Sequence, residues 1–80
     1  MYFLYILQCF DNTLYTGVAV DVAKRVAAHN HSPRGAKYTR SRRPVTLVYM
    51  KKFRSRSKAL KEEYRIKQLT RWEKFALIGK

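Results

Sequence analysis

The sequence predicts an α+β domain, a three-stranded antiparallel sheet flanked by helices in the order strand, strand, helix, strand, helix, helix. Three observations carry this. Two aromatic and β-branched runs near the N-terminus are separated by turn residues, a third such run lies mid-chain, and three later stretches each open on a helix-capping residue. Residues 2 to 9 are rich in Tyr, Phe, Ile and Leu, Asp11-Asn12-Thr13 supplies turn chemistry, and Leu14 to Val18 resumes a strand pattern, which together make a hairpin. A three-residue loop, Asp11 to Thr13, puts Tyr5 and Tyr15 on one face of the ladder, because an odd loop preserves their parity. They are then offset by about four residues, roughly 13 Å along the strands.

Gly17 follows, then Asp21 as N-cap of a helix from Val22 to about His29, with Val22 and Val26 on its buried side. Arg25 and His29, four apart, flank that stripe. Residues Asn30 to Pro44 hold both prolines, Gly35 and five basic residues, and read as a long loop. Val45 to Phe53 is the third strand. Ser55 or Ser57 caps a helix running to about Leu69, and Thr70-Arg71-Trp72-Glu73 has the capping-box pattern for a last helix to Ile78.

Eighty residues make one small domain with room for a single core and a shallow site. Apolar residues are 46% of the chain and aromatics 14%, enough to fold despite 29% charged residues. Eighteen Lys and Arg against five Asp and Glu give a net charge of +13, a field that draws in polyanions, so nucleic acid is the expected partner. A membrane surface is not, because the charge is spread over loop, strand and helix rather than gathered on one amphipathic helix. The run Tyr2 to Leu7 is too short to span a bilayer. Cys9 is the single cysteine and has no zinc-type spacing around it, which fits a reducing cytoplasm.

Three of the five acids have structural roles: Asp11 in the turn, Asp21 as a cap and Glu73 in the capping box. Glu62 and Glu63 remain. At 100° per residue Glu63 lies about 40° from Ala59 and about 60° from Ile66, so it leans towards the core-facing stripe, whereas Glu62 is expected to be solvated. Glu63 has a plain role open to it, an ion pair with Lys67 one turn on. It also stands just beyond a forty-residue stretch, Val22 to Lys61, with thirteen Lys and Arg and no acid. A lone carboxylate facing such charge reads as a ligand for a hard cation in a site that handles phosphate. Arg34, Lys37, Arg40, Arg42, Arg43, Lys51 and Lys52 are expected to track a nucleic-acid backbone.

Leu4-Tyr5-Ile6, ten residues before Tyr15-Thr16-Gly17, then Arg25 and His29 on the first helix and Glu63 on a later one, resembles the GIY-YIG nuclease family. Leu4 stands for the first glycine and Thr16 for the second isoleucine. Gly35-Ala36-Lys37-Tyr38-Thr39, Arg42-Arg43-Pro44-Val45 and Ser55 to Leu69 are similar to the small stand-alone bacterial members, so the likeness spans nearly the whole chain. The resemblance implies the fold already read from the residues. It also implies a metal-dependent endonuclease with Tyr5, Tyr15, Arg25, His29 and Glu63 as its site, Glu63 holding one Mg²⁺ or Mn²⁺, and DNA ahead of RNA as substrate, in repair or processing. Val18 replaces a lysine that many members carry after the second glycine, and no Asn follows Asn30. The alternative is an idle module that binds RNA or DNA through the same basic surface.

Overall fold

Leu4, Tyr5, Ile6 and Leu7 are consecutive residues and each is at most 1% exposed, which a strand achieves only when both its faces are covered. That strand, β1 (Tyr2–Gln8), is the centre of a three-stranded sheet. β2 (Leu14–Ala19) pairs with it on one side and β3 (Thr46–Phe53) on the other, both antiparallel. The structure, a computed structural model, describes residues 1–32 and 37–79.

The helices divide between the two faces. α1 (Val22–His31) sends Val22 and Val26 onto the face that carries Tyr5, Leu7 and Tyr15. α3 (Arg56–Lys67) and α4 (Arg71–Leu77) bring Ile66, Leu77 and the adjoining Ile78 onto the face that carries Leu4 and Ile6. Their ends are capped as the residues predict. Asp21 and Ser55 accept from the amides of Lys24 and Lys58, and Thr70 and Glu73 form a reciprocal capping box.

The hairpin loop is three residues long but sits one position earlier than the turn chemistry predicts. The Cys9 N–H donates to the Thr13 carbonyl and Asn12 N–H to the Cys9 carbonyl, so the loop is Phe10 to Asn12. A loop of this kind ends on a residue in the left-handed region, and Asn12 is there with φ 67°. A loop ending on Thr13 would force a β-branched residue into that region. The shift pairs Tyr5 with Gly17 and Tyr15 with Leu7, so the two tyrosines are offset by two residues instead of four.

The segment Asn30 to Pro44, expected to be a loop, contains a single-turn helix, α2 (Lys37–Arg40), and α1 runs on to His31. Nothing in a four-residue helix shows as periodicity. It is pinned by bonds formed only in the folded chain, from His29 to Thr39 and from Arg42 to the Tyr38 carbonyl. Asn30 then clamps the start of β3, its amide donating to the Val45 carbonyl and accepting from the Val45 N–H.

Candidate active site

Tyr5 projects from β1 across the neighbouring strand. Its ring lies over Gly17, where a β-carbon would come within 2.5 Å of the phenol oxygen and 2.7 Å of Cζ. Gly17 therefore serves as empty space that lets the Tyr5 phenol reach the β2 edge of the sheet, which gives the Tyr-x-Gly motif a steric reason.

At that edge the phenol oxygen lies 3.1 Å from His29 Nε2, and His29 Nδ1 lies 2.8 Å from the Thr39 hydroxyl. The Arg25 guanidinium lies near enough to the same phenol to act on its pKa. Burial raises the Tyr5 pKa, with Arg25 opposing it, so the phenol keeps its proton at neutral pH. Burial and the cations of Arg25 and Arg43 lower the His29 pKa, so the imidazole is neutral. Tyr5, His29 and Thr39 form a hydrogen-bonded chain whose members are each at most 1% exposed, with the direction of its protons set by the imidazole tautomer.

Tyr15 is differently placed. Its ring is 6.5 Å from that of Tyr5 and 5.0 Å from His29, and it stacks on Tyr38 of α2 at 6.0 Å. Among the described residues its phenol makes no hydrogen bond, and the ring lines a shallow groove together with Lys67. Glu63 lies close enough for its charge to raise the Tyr5 pKa, while its carboxylate pairs with Lys67 at 3.4 Å. The structure thus gathers Tyr5, Tyr15, Arg25, His29 and Glu63, and gives Glu63 its plain partner as well.

Glu62 departs from its expected solvation. Arg65, three residues on, grips both its oxygens at 2.6 and 2.9 Å, and Lys51 of β3 stands 4.0 Å away. Arg65 holds its carboxyl below the ordinary range.

The basic residues expected on a nucleic-acid track are dispersed. Arg43 donates to the carbonyls of Ala28, His29 and Ser32 and so caps the end of α1. Arg42 pairs with Asp11 at 3.1 Å and lies 4.1 Å over the Tyr38 ring. Lys51 and Lys52 are neighbours on β3, so they point to opposite faces. Arg40 is exposed at the end of α2. Arg34 lies outside the described residues, and Lys37 is described only as the first residue of α2. Three residues given no site role from the sequence also stand at the site, namely Thr39, Tyr38 and Lys67. The spacing of His29, Tyr38 and Thr39 carries no periodic signal; Lys67 was legible only as a partner for Glu63.

Among the described residues no three His, Cys, Asp or Glu come together. A single half-buried carboxylate suits a hard cation that keeps water and takes phosphate oxygens as its remaining ligands, which is how Mg²⁺ is commonly bound. Glu63 is a carboxylate of that kind, with Lys67 paired to it at 3.4 Å.

A family model described as the GIY-YIG catalytic domain matches residues 1–76. The chain belongs to the GIY-YIG family. A UPF0213 protein of Desulfotalea psychrophila is 54% identical over 77 residues, covering 96% of this chain and 70% of that protein. Another, from Halobacterium salinarum, is 53% identical over 78 residues, covering 98% of this chain and all of its own. The solution NMR structure of a UPF0213 protein from Bacillus halodurans superposes with a TM-score of 0.63 at 43% identity, covering 98% of this chain and 83% of that one. The GIY-YIG domain here therefore has the expected three-stranded fold, and among its described residues no helix is long and apolar enough to cross a membrane.

Proposed function

We propose that this chain is a metal-dependent nuclease that hydrolyses phosphodiester bonds, with DNA the first substrate to test. The observation that carries the reading is the convergence on the Tyr5 phenol of β1 of side chains from three further elements: Tyr15 from β2, Arg25 from α1 and Glu63 from α3.

Each side chain has a task that follows from its placement. Arg25 donates from a planar fork, suited to clamp the scissile phosphate and to stabilise charge that builds there. Tyr5 and Thr39 engage the two nitrogens of His29, so this buried set supports the site beside Arg25 and is not the proton acceptor. Tyr15, with its oxygen open to the groove, accepts a hydrogen bond from the attacking water and holds it in line; as a phenolate it would also take that water's proton. Glu63 would hold Mg²⁺ or Mn²⁺, which when bound supplies Lewis-acid stabilisation of phosphate charge.

The second reading is a binding module without turnover, and the observation favouring it is the Glu63–Lys67 pair, which covers the lone carboxylate. Cleavage of a panel of nicked, branched, duplex and single-stranded DNA and RNA, with Mg²⁺ or Mn²⁺ and with chelator, separates the two. The nuclease reading expects strand scission that chelator stops and metal restores. Binding without scission of any member would leave the idle module.

A further inference from the structure

We infer that the strand reaching this site is unpaired, and that it lies in a groove between the β2 edge and the α3–α4 corner. The inference rests on the nuclease reading for its substrate and goes beyond it in naming the strand's form and path.

Two adjoining hollows of about 320 and 200 Å³ share Leu14, Tyr38 and Lys74. The larger adds Tyr15 and Lys67, the smaller Arg71. One wall, from the hairpin loop, β2 and α2, carries Leu14, Tyr15 and Tyr38 among the polar Asn12, Thr13 and Thr16, and the other, from the end of α3 and from α4, is cationic. No acid lines either hollow among the described residues.

The chemistry of the two walls argues against a duplex. A duplex hides its bases and presents phosphate, for which an aromatic wall has no use. An unpaired strand presents base and sugar to Leu14, Tyr15 and Tyr38, and phosphates to Lys67, Arg71 and Lys74. The path also ends where it should. Lys67 lines the groove beside the open phenol of Tyr15 and pairs with Glu63, so a phosphate carried along the cationic wall arrives at the site.

The test is equilibrium binding in chelator, by fluorescence anisotropy, of a labelled unpaired oligonucleotide and a blunt hairpin duplex of equal length. The parent should bind the unpaired strand more tightly. Replacing both Arg71→Gln and Lys74→Gln should weaken unpaired-strand binding about tenfold or more and flatten its log–log salt slope by about 1.4, two contacts at roughly 0.7 each. Duplex binding should stay within about twofold. Lys51→Gln with Lys52→Gln, the same change of charge on the β3 edge, should spare the preference for unpaired strand, and circular dichroism checks both folds. Equal losses for the two ligands, or none for either, would overturn the inference. The assay contains no metal, so failure of the nuclease reading would appear as absent scission with this binding pattern intact.

Discussion

β2 and β3 both flank the central strand and both stand among lysines and arginines, yet among the described residues the side chains of the proposed site converge at the β2 edge. At β2, Gly17 leaves a space through which Tyr5 crosses the strand, and α1, α2 and α3 each deliver a side chain to meet it. At β3, Lys51 and Lys52 diverge to opposite faces, and Lys51 is drawn to Glu62. Leu47 and Met50 are 39% and 51% exposed there. The difference teaches that positive charge attracts a polyanion anywhere on this surface, whereas chemistry needs several elements to converge on one point.

Four substitutions probe the β2 edge in descending order of effect. Tyr15→Phe removes the open hydroxyl but keeps the ring that stacks on Tyr38. Single-turnover cleavage should fall by about 10²- to 10⁴-fold with substrate affinity unchanged. Arg25→Lys keeps the charge and loses the planar fork, so the rate should drop by about 10²-fold while binding holds. Equal activity in either variant would break the assignment of roles. Gly17→Ala puts a methyl against the Tyr5 ring, and overpacking of this kind costs about 1–3 kcal/mol. Urea denaturation should show that loss, accompanied by reduced cleavage as Tyr5 is displaced, and an unaltered midpoint would mean that the ring moves aside freely.

The fourth concerns pH. The His29 pKa lies below its ordinary 6.5 in the folded chain, so the unfolded chain takes up the extra proton first on acidification. His29's contribution is complete above about pH 6.5 and is lost as pH falls from there towards the folded-state value. The slope is at most about 1.4 kcal/mol per pH unit. Melting temperatures of the parent between pH 7.5 and 5 should fall more steeply than those of His29→Asn, and parallel curves would remove His29 from the buried chain.

Much of the comparison between edges was legible in the sequence. The order of elements along the chain, the three caps and the shared face of Tyr5 and Tyr15 follow from local chemistry and parity, which need only neighbouring residues. The loop frame was missed because Asn12 and Thr13 both suit a turn, and only the left-handed backbone at Asn12 decides between them. α2, the bond from Thr39 to His29 and the capping of α1 by Arg43 join residues ten or more apart without periodicity. Glu62 was expected to be solvated because the residue four on is Ile66, while its partner Arg65 lies three on and Lys51 comes from another strand.

The central claim, that the β2 edge is a working hydrolytic centre and the β3 edge only a charged one, is tested most directly by one paired measurement. Metal-dependent single-turnover cleavage is compared for the parent, Glu63→Gln and the Lys51→Gln, Lys52→Gln double variant, each at saturating protein with affinity measured alongside. Losing several kcal/mol of metal-borne stabilisation should slow Glu63→Gln by about 10³-fold or more with affinity retained, and the double variant should cleave at the parent's rate. Cleavage by Glu63→Gln at the parent's rate, or a double variant as impaired as Glu63→Gln, would contradict the account.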